Sequence, residues 1–188
     1  EDRERVEREG ARVMAALQET THVTADANFQ GDREPLRKAF ASFAGSFDAQ
    51  EGGFGGAPKF PRPSVLNFLL RYGTPAEGEE ARQAREMALF TLRKMAAGGL
   101  RDHFGGGFHR YSVDEYWHVP HFEKMLYDQA QLAVSYVEAW QMTHESFYED
   151  IARETLDYVL RDMTHTQGGF FSAEDADSFL QHGGSVHA

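Results

Sequence analysis

The feature that most constrains this chain is a motif that occurs three times. Asp48 to Phe54, Asp102 to Phe108 and His165 to Phe170 each set a polar residue a few positions ahead of two glycines and a phenylalanine. The phenylalanines lie 54 and 62 residues apart, and each interval holds two helix-like stretches. Tandem glycine lets the chain turn sharply at a helix end, and the phenylalanine then plugs the turn into a hydrophobic layer. A repeat of this size means stacked supersecondary units, each with an apolar face that it cannot bury alone.

The intervening sequence has helical periodicity. Leu36, Ala39, Phe40, Phe43, Ala44 and Phe47 follow the i, i+3, i+4, i+7 pattern of one helix face, with Pro35 in the first turn. Val65 to Tyr72 and Glu79 to Ala97 form the next pair, ended by Gly98-Gly99. A helix after Pro120 reaches about Met142, with Val134 among its apolar positions. The last has Ile151, Thr155, Leu156, Val159 and Leu160 on one face. Phe108 to Val113 and Gly169 to Ser172 predict short extended pieces. The expected fold is all-α: helical-hairpin repeats forming about half of a six-hairpin (α/α)6 toroid, with the glycine loops around a shared funnel. Residues 1–32 read as a linker, with a charged helix over Val6–Leu17 and no periodicity from Thr20 to Asp32. Residues 33–188 read as the N-terminal half of the toroid. The open edges of a half-toroid predict self-association.

Composition narrows the function. A net charge of −11 repels a phosphate backbone, which argues against nucleic acid. No stretch approaches the apolar length of a membrane span. The absence of cysteine removes disulfides, thiol nucleophiles and thiolate metal sites, and fits the cytoplasm.

The richest chemistry lies between Asp102 and Asp128. His118, His121, Glu123, Lys124, Tyr127 and Asp128 gather around an expected helix start, where Glu123–Tyr127 and Lys124–Asp128 are i, i+4 pairs. An imidazole beside a carboxyl can move a proton at neutral pH, so His121 and Glu123 are catalytic candidates, with His118 third. Pairing with Arg110 would set the state of Glu123. His118-x-x-His121 lacks a third metal ligand, and neither metal nor cofactor is expected. Glu174, Asp175 and Asp177 form an acidic cluster able to hold a polyol or cap a helix. Lys59 stands in a glycine-rich loop that lacks the Gly-Lys-Ser/Thr of a phosphate loop.

At these motifs the chain resembles a known family. GGFGGAPKFP at 52–61, GGLRDHFGGGFHRYSVDEYWHVPHFEKMLYD at 98–128 and GGFFSAEDADS at 168–178 are similar to proteins with an N-terminal thioredoxin-like domain followed by a six-hairpin domain. That family includes spermatogenesis-associated thioredoxin-like proteins. The resemblance implies that a thioredoxin-like domain precedes this segment and that further hairpins follow it. It also implies likeness to N-acylglucosamine 2-epimerases and six-hairpin glycosidases, hence a small sugar-like ligand and epimerase, isomerase or glycosidase chemistry. A non-catalytic scaffold serving the redox domain is the alternative. Arg110, Tyr111, Trp117, His118, His121, Glu123, Lys124, Tyr127 and Asp128 match the long motif, and Glu174, Asp175 and Asp177 the acidic one. Proton transfer then falls to His121 and Glu123, ligand contact to Arg110, Tyr111, Trp117, Lys124, Tyr127, Asp128, Lys59 and the acidic cluster.

Overall fold

A computed structural model describes residues 2–21, 31–74, 78–179 and 185–187. Most of the expected 20–32 linker lies outside the described residues. The chain divides into two compact units, Glu1–Pro35 and Leu36–Ala188. The first holds α1 (Asp2–Thr21), whose Val6, Val13, Met14 and Leu17 are exposed. Its polar sides carry the i, i+4 pairs Arg3–Glu7 and Glu4–Arg8.

The remaining helices are α2 (Glu34–Ser46), α3 (Pro63–Gly73), α4 (Glu79–Ala97), α5 (Leu126–Thr143) and α6 (Ser146–Asp162). Among the described residues, six two- and three-residue strands accompany them. The first four are β1 (Tyr111–Ser112), β2 (Pro120–His121), β3 (Lys124–Met125) and β4 (Ala173–Glu174). β5 (Asp177–Phe179) and β6 (Ser185–His187) make an antiparallel pair. No described helix is long and apolar enough to cross a membrane.

Two hairpins dominate, α3 against α4 and α5 against α6, with α3 also packed on α5. Periodic apolar residues supply the seams: Leu66, Leu69 and Leu70 from α3, Ala84, Ala88, Leu92 and Met95 from α4, Leu132, Tyr136 and Ala139 from α5, and Tyr148, Ile151 and Ala152 from α6. Burying a side chain of this size stabilises by about 1.5–3 kcal/mol before the entropy of ordering is subtracted. Polar ties also join the hairpins, among them Tyr136 Oη donating to the Leu92 carbonyl at 2.7 Å, Ser135 Oγ to Asn67 Oδ1 at 2.6 Å and the Arg71–Glu138 ion pair. Val134, Leu156 and Leu160 stay exposed although their spacing predicts burial, because no described element covers them.

Each glycine turn leaves a helix C-terminus. The first follows α2, the second α4 and the third α6. Each closes with one narrow bridge: Phe47 to Phe54, Arg101 to Phe108 and Thr164 to Phe170. The loops leaving the first two turns pair with each other through Lys59 and Ser112, so α3 and α5 start at the same end of the fold as the turns.

One expectation is corrected here. The helix after Pro120 does not begin at that proline but at Leu126, and Pro120–His121 and Lys124–Met125 are strands. Backbone pairing claims this segment instead: β2 pairs with β1, the Arg110 amide donates to the Glu123 carbonyl, and β3 pairs with β4. Glu123–Tyr127 and Lys124–Asp128 are therefore not neighbours on one helix face.

Candidate functional site at the head of α5

The first two glycine turns share one construction. In the first, the Asp48 carboxyl accepts the amides of Gln50 and Glu51 and takes the Lys59 ammonium at 2.6 Å. Lys59 Nζ also donates to the Glu115 carbonyl at 2.9 Å and lies 5.2 Å from the Trp117 ring centre. In the second, Asp102 accepts the amides of Phe104 and Gly105 and takes Lys124 Nζ at 2.8 Å. Lys124 also donates to the Gly106 carbonyl at 3.0 Å and sits 4.4 Å from the Tyr158 ring centre. Burial alone would raise the Asp102 carboxyl, but Lys124 and the two amides outweigh it and hold the group well below the usual carboxylate range.

The glycines admit the aromatic partner. A Cβ on Gly53 would fall 2.7 Å from the Trp117 ring, and one on Gly107 2.5 Å from the Tyr158 ring. Both have positive φ, 81° and 74°. The arrangement occupies three of the residues assigned above to ligand contact. Lys59 and Lys124 are buried with their ammonium groups partnered. Trp117 is fully buried, donates to the Glu51 carbonyl at 2.8 Å and adopts a left-handed backbone with φ of 65°. Lys124 pairs with Asp102, not with Asp128.

That leaves Asp128 without a cation. It stands in the first turn of α5 and is only 7% exposed. Its carboxyl has no hydrogen-bond or ion-pair partner among the described residues. Burial raises its pKa from an ordinary 3.8 to about 6, with Arg110 pulling it down and Glu123 pushing it up. Arg110 and Glu123 are bonded to each other, Nη1 to Oε2 at 2.6 Å. Arg110 also contacts the phenol of Tyr127, itself half exposed. Arg110, Glu123, Tyr127 and Asp128 thus form one cluster with two carboxylates against one guanidinium.

The other candidates have partners of their own. His121 pairs in register with Tyr111, and their rings stack 4.9 Å apart. Tyr111 also meets Phe60 at 4.8 Å, making a row of three rings with Phe60 partly exposed. His118 is set apart: it is exposed, its amide donates to Asp114 and its ring lies 5.9 Å from Tyr116. Glu174, opposite Lys124 across β3 and β4, accepts the Tyr158 hydroxyl at 2.5 Å. Asp175 Oδ1 accepts the Asp177 amide at 3.0 Å, a turn within the acidic loop. No three potential metal ligands come together among the described residues.

Two residues escaped the motif reading. Tyr158 shares a helix face with Ile151 and Thr155, a spacing that marks it as buried. His109 is buried near Lys124, Asp102 and Glu174, with Nδ1 3.1 Å from the Phe122 carbonyl and the Phe122 ring edge-on at 5.1 Å. Burial lowers its pKa and favours the neutral ring. Its place between Phe108 and Arg110 was the only signal in the sequence.

No family model matches the chain. Over 142 residues, 75% of its length, it is 54% identical to Spermatogenesis-associated protein 20 of Homo sapiens and 52% identical to that of Rattus norvegicus. Over 185 residues, 97% of its length, it is 39% identical to an uncharacterized protein of Caenorhabditis elegans. The chain spans 18% of the human relative and 25% of the nematode one. Among solved structures it is similar to a sugar epimerase from a ruminal bacterium, with a TM-score of 0.61 and 14% identity over 75% of this chain and 39% of that one. A cellobiose 2-epimerase from Bacillus thermoamylovorans gives 0.58 and 16% over 75% of this chain and 40% of that one. A D-mannose isomerase gives 0.52 and 18% over 65% of this chain and 30% of that one. The chain is therefore similar to Spermatogenesis-associated protein 20 over 75% of its length and, over the same share, has part of the helical-hairpin toroid fold of the epimerase structures.

Proposed function

We propose that this chain is part of a thioredoxin-domain family protein and that the head of α5 is a sugar-processing site of the epimerase or isomerase type. The observation that carries the reading is the Asp128 carboxyl, buried and unpartnered beside the Arg110–Glu123 pair. The residue is nearly buried, yet its carboxyl oxygens still reach solvent, so water meets them in the free protein and a polar ligand can take that water's place. The half-exposed Tyr127 ring, in contact with Arg110, adds an apolar surface of the kind a pyranose ring packs against.

The chemistry follows from the groups. Epimerisation next to a carbonyl removes a proton from carbon and returns one to the opposite face. Arg110, anchored through one nitrogen by Glu123, has guanidinium protons left to stabilise the enolate oxygen. The free oxygen of Glu123 takes the proton, His121 is the second carrier, and Asp128 holds the ligand. His118, Asp175 and Asp177 have no part in these steps.

A ligand-binding scaffold without turnover is the second reading. It is favoured by the structural employment of Lys59, Trp117 and Lys124, which removes much of the density of chemical groups that suggests an enzyme. One experiment separates the two. The full-length protein is incubated with aldoses and ketoses in D2O and followed by proton NMR. Loss of a C–H signal that requires Glu123 and Arg110 supports the enzyme. Saturable binding with every C–H signal intact supports the scaffold.

A further inference from the structure

We infer that the head of α5 accepts a ligand bearing an ammonium group, an amino sugar rather than a neutral or acidic one, with the ammonium seated against Asp128. The inference rests on the ligand-site reading above, but not on turnover.

The chain itself supplies the comparison. Three aspartates lie at this end of the fold, Asp48 and Asp102 in the glycine turns and Asp128 in the first turn of α5. Two of them carry an ammonium, Lys59 Nζ at 2.6 Å and Lys124 Nζ at 2.8 Å, and in each case a backbone carbonyl and an aromatic ring complete the seat. Asp128 is buried to a similar degree as those lysines and has no such partner. Arg110 does not fill the role, because its bonded carboxylate is Glu123. Counted as charges, the cluster holds Glu123 and Asp128 against Arg110 and is short of one cation.

The form of that cation is constrained by its surroundings. A divalent metal would meet the Arg110 guanidinium and only two carboxylates, and no three-ligand group exists among the described residues. A second guanidinium would place two planar cations side by side. A single ammonium is compact and donates three protons, which suits one free carboxylate with acceptor oxygens near it. The half-exposed ring of Tyr127, in contact with Arg110, suits the sugar ring that bears it. A uronate or sugar phosphate would bring further negative charge to a cluster already in excess and is excluded on that ground.

The test is a calorimetric or saturation-transfer NMR comparison at pH 7.0 on the full-length protein. The probes are D-glucosamine, D-galactosamine and D-mannosamine against the parent hexoses, their N-acetyl forms and D-glucuronate. One hexosamine should bind about tenfold or more tightly than its parent hexose and its N-acetyl form, as a charge-assisted hydrogen bond requires. Asp128→Asn should erase that preference, with the hexosamine losing about tenfold more affinity than its parent hexose. Hexoses binding as tightly as hexosamines would overturn the ammonium and leave the sugar site standing. A preference that persists in Asp128→Asn would place the ammonium elsewhere and overturn the assignment. Binding by none of these sugars would remove the sugar reading and this inference together. The comparison among ligands needs only wild-type protein, so it holds even where the variant folds poorly.

Discussion

The second glycine turn and the head of α5 belong to the same motif and treat an aspartate in opposite ways. At the turn, Asp102 is surrounded by Lys124 and two amides, and its ionised form is favoured. At the head of α5, Asp128 is buried without a cation, and its neutral form is favoured up to about pH 6. One carboxylate holds the fold together and the other works against it. Density of polar residues in a motif does not locate a site, whereas an unmet partner does.

The largest expected effect comes from breaking the turn. Lys124→Ala leaves Asp102 and the Gly106 carbonyl without their buried donor and should lower stability by about 3–5 kcal/mol, read from urea unfolding. Lys59→Ala should behave alike at the first turn. A loss below about 1 kcal/mol would mean that the pair is a surface ion pair in solution. The sign with pH follows from the depressed Asp102 carboxyl. Its contribution is complete above the unfolded pKa near 3.8 and is lost as pH falls below it, so acid unfolding should begin there.

Gly107→Ala comes next, at about 2–3 kcal/mol, since the new methyl group meets the Tyr158 ring and the backbone has positive φ. Asp128→Asn should go the other way. The native group holds its proton more tightly than the unfolded one, so its ionisation costs stability progressively from about pH 4 to pH 6 and fully above. The variant should gain about 2 kcal/mol at pH 8 and nothing at pH 3.5, measured by thermal melts at both values. No gain at pH 8 would mean that Asp128 has a partner after all. The smallest effect belongs to Gly169→Ala in the third turn. A Cβ there meets nothing within 4 Å, so only the φ of 81° counts, about 1 kcal/mol. A loss equal to that of Gly107→Ala would show that the third turn is covered in solution as the second is.

The fold was legible in the sequence because its causes are local and repeated. Helical periodicity set the helices, and three glycine turns in phase with them set the hairpins. The start of α5 was not legible, because strand pairing with Arg110 and Ser172 is made across the chain and overrides the helical pattern between Pro120 and Met125. The Arg110–Glu123 pair was within reach as a charge argument. The partner of Lys124 was not: Asp102 is 22 residues away, and the nearer Asp128 offered an i, i+4 explanation that holds only if the helix starts earlier. Trp117, conspicuous beside two histidines, fills the core because Gly53 leaves room for its ring.

One titration reads both regions at once. Carbon-detected NMR of the aspartate side chains, followed from pH 2 to pH 8, should give Asp128 a midpoint near 6 and place Asp48 and Asp102 below the ordinary 3.8. An Asp128 that titrates with the ordinary aspartates would mean that its charge is already met, and the head of α5 would lose its claim to be the site.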